Sequence, residues 1–335
     1  MIGTQIHLGT HEGRGAAGLM EDGRLIDVLI DADDDIPVPG TVFRAICDRP
    51  VKGQGGMILK LGGGLTGWHR NAKGLAPGQA LLVQVTGHAE PGKAVPVTDR
   101  VLFKSRLCIV TPGAPGLNVA RSLTDDEERD RLLEIAHDVL TEDRGETGVI
   151  LRTAAEGADA EALAEDLATT WAAAMTVLGD EGTGAERLLD GPDAQTLAWR
   201  DWPDAPVTDD WGPVADALDA LRTPEVRIGA VTLWIEPTRA LTAVDVNTPD
   251  GGAGGLRANL AAAKELPRQL RLRGIGGQVV VDLAPTSKKD RKAVESAFRH
   301  AFRADSVETS FIGWTPLGHV ELTRRRERRP LTDLL

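Results

Sequence analysis

Two stretches of the chain place carboxylates where an apolar strand would not ordinarily keep them. In "TAVDVN" Asp245 interrupts an alternating apolar run, and Asn247 follows two residues on, on the same face of an extended strand. In "GGQVVVDLAP" Asp282 ends a run of three valines. An ionised carboxylate at the end of such a strand costs several kcal/mol unless it is paired, hydrogen-bonded or bound to a metal. Two aspartates with a neutral oxygen donor between them make a hard-oxygen site suited to Mg²⁺, which takes one or two carboxylates and keeps several waters. An ion held there would make a water more acidic and stabilise charge on a phosphorane-like transition state. From chemistry alone, a strand-end aspartate is more often a helix cap or a loop hydrogen-bonder, and both readings stay open at this point.

Carboxylates at strand ends need a sheet to bring them together, and the flanking pattern supplies one. "VRIGAVTLWIEP" and "ALTAVDVN" read as strands. A Gly-rich loop follows from Pro249 to Gly255, then a helix from about Leu256 to Arg273, the strand "GQVVVDLA", a helix from Ser287 to about Arg303, and a strand near His319 to Leu322. That order implies an α/β layer with carboxylates at strand ends. Upstream, Asp22-Gly23 between two apolar runs marks a hairpin. From Gly40 to about Lys104 five β-prone segments alternate with Gly-rich turns, as in a small closed barrel of the OB class. Residues 125–142 and Asp159 to about Leu178 read as helices, with the strand "TGVILRT" between them, while the pattern weakens from Asp180 to Pro224.

Composition narrows the class. At 335 residues the chain has room for two or three modules, and 41% hydrophobic with 26% charged residues is ordinary for a water-soluble globular protein. Cys47 and Cys108 form no CxxC pair, which suits a reducing cytoplasm, and no apolar run approaches a membrane span. A cytoplasmic protein with no membrane partner is expected. The net charge of −12 is unevenly spread: residues 263–335 hold 15 Lys/Arg against 9 Asp/Glu, leaving −18 on the rest. The last third is therefore a candidate phosphate-binding face. Arg268, Arg271 and Arg273 in "RQLRLR" are expected to face a phosphate-bearing substrate, and the cluster Arg324 to Arg326 with Arg328 and Arg329 is either a contact to its backbone or a solvated tail.

From about Ala240 to Arg303 the chain resembles the catalytic region of the ribonuclease E/G family. "ALTAVDVN", a glycine-rich loop, "NLAAAKELPRQLRLRGIGGQVVVDL" and "RKAVESAFRHAF" follow one another in the family's order. The resemblance implies that Asp245 and Asp282 are catalytic, metal-binding aspartates and that Asn247 positions the metal or its water. It implies a DNase I-like fold for this region and a product RNA carrying a 5′-phosphate. Residues 40–104 are similar to the family's S1-type OB-fold, where Trp68 would stack on bases and Lys93 would contact phosphate; Ile58 stands where the family has a second aromatic. "GVILRTAAEG" resembles the segment that reads an RNA 5′-monophosphate, through Arg152 and Thr153. A further arginine of that pocket aligns near Pro316, so weakened sensing is expected.

The whole then reads as an α+β multidomain chain. Its parts would be a first RNase H-like piece (1–36), the S1-type OB-fold inserted after it (40–104), a 5′-sensor-like region (105–180), a reduced second RNase H-like piece (181–226), the DNase I-like subdomain (227–325) and a basic tail (326–335). With no cysteine after Cys108, zinc and the family's zinc-linked tetramer are not expected, leaving a monomer or dimer. The expected function is Mg²⁺-dependent endonucleolytic cleavage of single-stranded RNA in processing or decay. The alternative is an RNA-binding regulatory paralogue with weak or no nuclease activity.

Overall fold

Turn chemistry sets the first three strands. A computed structural model describes residues 3–33, 35–90, 92–140, 145–249 and 254–334. β1 (Thr4–His11), β2 (Arg14–Glu21) and β3 (Arg24–Ile30) form an antiparallel meander. Both of its turns, Glu12-Gly13 and Asp22-Gly23, hold two successive residues at positive φ. That backbone twists with the strands, and glycine adopts it without steric cost. Only the second turn was legible from composition.

The chain then builds a separate compact unit, Asp33–Pro203, and returns to complete the other, Met1–Ala32 with Asp204–Leu335. In the inserted unit, β4 (Val42–Pro50), β5 (Met57–Gly62), β6 (Leu65–His69), β7 (Ala80–Val85) and β8 (Val95–Thr98) make an OB-like five-stranded barrel, closed by pairing of β4 with β7. Alternate residues such as Phe43, Met57, Leu59, Leu61 and Val83 fill its interior. "VPVTDRVLF" divides: β8 joins the barrel, whereas β9 (Phe103–Lys104) joins a second sheet with β10 (Cys108–Pro112), β11 (Leu117–Val119) and β12 (Thr147–Leu151). Helices α1 (Asp126–Val139) and α2 (Ala160–Leu178) pack on that sheet through Leu132, Ala136, Leu163 and Leu167, and Asp125 and Asp159 cap them.

The weakly patterned stretch after Asp180 contains β13 (Glu186–Leu189) and α3 (Ala194–Asp201), and β13 pairs with barrel strand β4. Buried Arg44 on β4 explains the attachment, since its guanidinium donates to Asp180, to Glu186 and to the Gly184 carbonyl. The expected boundary at 180/181 thus differs from the boundary between compact units, which falls after Pro203.

In the other unit, β14 (Val207–Thr208) runs parallel to β1, and α4 (Gly212–Ala220) seats Val214 and Leu218 against Met20, Leu25 and Val28. A six-stranded sheet follows in the order β15 (Glu225–Ile228), β16 (Val231–Pro237), β17 (Thr242–Asn247), β18 (Gly277–Asp282), β20 (Val320–Arg324), β19 (Thr309–Trp314). Only β17 and β18 are parallel, as expected for strands joined by the crossover helix α5 (Gly255–Leu272). α5 and α6 (Arg291–Arg303) cover one face of the sheet and bury Ala262, Leu266, Leu270, Val294 and Phe298 on Val244, Val246, Val279 and Val281. Residues 250–253 of the expected glycine-rich loop lie outside the described residues. No helix among the described residues is long and apolar enough to cross a membrane.

Candidate active site

Alternation along β17 and β18 decides which side chains can do chemistry. Val244, Val246, Val279 and Val281 point into the helix-covered core, so Asp245, Asn247 and Asp282 stand exposed on the opposite face. The parallel register pairs Asp245 directly with Asp282, bringing together residues 37 apart in the sequence. The Asn247 side-chain amide donates to Asp245 Oδ2 at 2.6 Å. His319, just before β20, places Nδ1 3.0 Å from Asp282 Oδ1. Opposite Asp245 on β16 stands Trp234. One row across the open face therefore runs Trp234, Asp245, Asp282, His319.

The backbone beneath Asp282 is fastened from the helix side. Asn259 on α5 is fully buried, and its side chain both donates to and accepts from the Ala284 backbone, each at 2.9 Å. Gly255 lets the start of α5 approach Pro285, since a Cβ there would collide with the Pro285 carbonyl. Asn259 thus fixes the chain two residues beyond Asp282. Sequence reasoning did not single out Asn259, His319 or Trp234. The strand alternation that marked Asp245 and Asp282 contained two of them: Trp234 lies in phase with Glu236, and His319 with Glu321 and Thr323.

In the Asp33–Pro203 unit, Arg152 follows β12 and is held by four acceptors. Its guanidinium donates to the Ser105 carbonyl at 2.5 Å, to the Arg106 and Arg200 carbonyls at 3.3 Å each, and to Asp201 at 3.0 Å. Burial tends to raise the Asp201 carboxyl, but Arg200 and Arg152 outweigh it and hold that group below the usual carboxylate range. Thr153 is exposed, with its hydroxyl 2.7 Å from that of Ser122. On the barrel, Trp68 is half-buried, pairs across β5 with Ile58, and lays its ring over Gly56. Lys93 is exposed and paired with Glu90 at 2.8 Å.

The profile of the Ribonuclease E/G family matches residues 103–208 and 204–327, which together are more than half of the chain. The chain belongs to the ribonuclease E/G family. Among its relatives, Ribonuclease G of Salmonella typhimurium is 30% identical over 310 residues, covering 77% of this chain and 62% of the relative. Ribonuclease E of Nostoc sp. is 30% identical over 311 residues, covering 78% of this chain and 45% of the relative. Ribonuclease G of Escherichia coli is 29% identical over 310 residues, with 77% and 62% covered. The chain thus spans less than two thirds of the length of these relatives.

Within this family member, the arginines expected to face RNA occupy other places. Arg268 pairs with Glu265 and donates to the Leu25 carbonyl. Arg271, only 12% exposed, pairs with Asp305 and Asp27 and donates to the Ile26 carbonyl at 2.9 Å. Arg273 donates to the Leu221 carbonyl at 2.5 Å, and burial, helped by nearby Arg268, pulls it down to about 10. They fasten α5 to β3 and to the end of α4. The sequence pattern had shown a helix flank rich in charge but not that β3 packs there, with Leu25 and Ile26 supplying carbonyls.

The basic C-terminal segment is likewise anchored. Arg324 is buried and pairs with Asp305 at 2.6 Å; Arg328 forks onto both Asp27 oxygens at 2.9 Å; Leu331 and Leu334 are buried. A freely solvated tail from residue 326 is not what the structure shows. Pro316 lies in the turn between β19 and β20 beside the strongly exposed Leu317, and has no side-chain donor to offer an anion.

Proposed function

We propose that this chain is a metal-dependent endoribonuclease that cleaves single-stranded RNA at the Asp245–Asp282 pair. The observation that carries the reading is the register: two carboxylates side by side on the open face of a sheet, each already held by one neighbouring side chain. Family membership supports the same reading, since the relatives named above are ribonucleases.

The donor set fits a hard divalent cation. Among the described residues no group of three or more His, Cys, Asp or Glu side chains stands ready to hold a metal. Two exposed carboxylates with room for waters is what Mg²⁺ accepts, whereas a structural zinc site wants four nitrogen or sulfur ligands. When bound, the ion supplies positive charge for the scissile phosphate and acidifies the attacking water. The protein's part is positional. Asn247 fixes the Asp245 carboxylate by donating to one of its oxygens, leaving the other free. His319 holds Asp282 in the same way, and Asn259 keeps the Asp282 backbone in place. In-line attack by water on phosphorus would break its bond to the upstream 3′ oxygen, which leaves as a 3′-hydroxyl, and the phosphate stays on the 5′ end of the downstream RNA.

The modules take finer readings along the same line. The barrel serves as an S1-type RNA-binding domain with Trp68 as its stacking surface and Lys93 at its edge. The meander with β14 and α4 is a reduced RNase H-like element, and the six-stranded sheet with α5 and α6 is DNase I-like. Arg152 and Thr153 form a 5′-phosphate site whose guanidinium already has Asp201 as a partner. Arg268, Arg271 and Arg273 are left out of this reading because each already donates to a carbonyl of β3 or of the end of α4.

The test is incubation with a fluorescent single-stranded oligoribonucleotide, with Mg²⁺ or with chelator, followed by analysis of the new ends. Mg²⁺-dependent internal cleavage leaving 5′-phosphates supports the proposal. Tight RNA binding without cleavage supports the regulatory paralogue instead.

A further inference from the structure

The indole of Trp234 has no evident structural task. Large aromatic side chains on a strand ordinarily contribute to a core, yet Trp234 is 39% exposed and lies outside the core beneath the six-stranded sheet. Its strand neighbours Leu233 and Ile235 are the ones buried there. Contrast Trp199, more exposed at 56%, whose ring has the Arg106 guanidinium over it at 5.7 Å and whose carbonyl accepts from the same side chain. Among the described residues no ring or cation is recorded against Trp234.

Its place is as telling as its exposure. Trp234 is the direct cross-strand partner of Asp245, and Asp245 is the direct partner of Asp282. Side chains paired in this way stand about 5 Å apart on one face. A flat, apolar, electron-rich surface one strand from a pair of carboxylates suits a ligand with an anionic centre and a planar group attached nearby. A nucleotide has that build: its phosphate would approach the carboxylates that would hold the metal while its base finds the indole. Stacking on an exposed aromatic is sequence-tolerant because every base has a π-face.

We infer that Trp234 is the stacking platform for the nucleobase beside the cleaved phosphate, a subsite on the same sheet face as Asp245 and Asp282. The inference rests on the nuclease reading above, and names where the substrate base lies. Such a platform contributes binding and orientation rather than proton transfer, so its loss falls mainly on KM and spares kcat.

The experiment walks a single abasic nucleotide through a single-stranded oligoribonucleotide with one cleavage site, and measures kcat and KM for wild type, Trp234→Leu and Trp234→Phe. Wild type should lose about tenfold in kcat/KM when the abasic position flanks the cut, mostly through KM. Trp234→Leu should show that loss with the intact oligonucleotide and no further loss with the abasic one, while Trp234→Phe keeps most of the wild-type discrimination. Undiminished abasic sensitivity in a folded Trp234→Leu, or no sensitivity in wild type, overturns the inference. Should Trp234→Leu fail to fold, Trp234→Phe and the wild-type abasic walk decide between the same two outcomes. A parallel arm measures binding of a fluorescein-labelled, 2′-O-methylated oligonucleotide in Mg²⁺. If wild type cleaves nothing, the nuclease reading fails by itself; weaker binding by Trp234→Leu then upholds the platform, and equal binding rejects it.

Discussion

Two sets of charged residues in the same unit follow opposite rules. Around Asp305 the charges are buried and paired: Asp305 has no exposed side-chain surface, and Arg271 and Arg324 close on it, while Asp27 takes Arg271 and Arg328. Across the sheet's open face, Asp245 and Asp282 are exposed, alike in sign and adjacent, with Asn247 and His319 as their side-chain partners among the described residues. The first set, three arginines on two aspartates, is paired within the protein and works as scaffold. The second lacks a positive charge, which is what a ligand or ion would bring. Counting Lys and Arg along the last third does not show which of them already have internal partners, as Arg271, Arg324 and Arg328 do.

The contrast predicts the largest effect for the buried set. Asp305→Ala should destabilise the protein by about 3–5 kcal/mol, because it leaves buried Arg324 without its carboxylate and Arg271 with Asp27 alone; chemical denaturation reads it. Stability within about 1 kcal/mol of wild type would mean these arginines find water or other acceptors, and that the two sets do not differ as described.

Trp68→Ala comes next and concerns binding rather than folding. Loss of a stacking surface should cost about 1–3 kcal/mol in affinity for single-stranded RNA with little change in melting temperature. Gly56→Ala should act in the same direction, because its Cβ would collide with the indole and displace it. A large drop in melting temperature for Trp68→Ala, without an affinity change, would place that residue with the scaffold.

The smallest effect is expected at Arg152. Its donors already have three carbonyls and the Asp201 carboxylate as acceptors, and Pro316 supplies no second cation. We therefore expect at most a few-fold preference in kcat/KM for 5′-monophosphorylated over 5′-hydroxylated RNA at fixed salt. Asp201→Asn should raise that preference by removing a competing anion. A preference above about thirtyfold in wild type, lost in Arg152→Ala, would show that another donor completes the pocket, the missing bond being equivalent to about 1.5–3 kcal/mol.

How much of this was legible in the sequence depends on whether a feature is local. The Asp22-Gly23 turn, the barrel strands, and helices such as Asp126–Val139 follow from neighbouring residues, and so did the placing of Asp245 and Asn247 on one face of a strand; that this face is open was not expected. The residues that brought recognition, Asp245, Asn247 and Asp282, lie together on one face. Long-range partners were not legible. Nothing near Arg271 announces Asp305 or the Ile26 carbonyl, and nothing near Asp180 announces Arg44. β19 was missed because Gly313 sits within it at a register shift, breaking the alternation that marks a strand. His319 escaped notice because its role is set by the register of β20 against β18, which no local pattern encodes.

The central claim is that the exposed acidic pair is the site of chemistry and contributes nothing essential to the fold. Asp245→Asn and Asp282→Asn should each be made, stripped of metal, reconstituted with Mg²⁺ and assayed on a single-stranded oligoribonucleotide beside wild type, with melting curves for all three. We expect loss of Mg²⁺-dependent cleavage in both variants, with melting temperatures equal to or above that of wild type, since each substitution removes one of two adjacent like charges. Wild-type-like cleavage by either variant would contradict it.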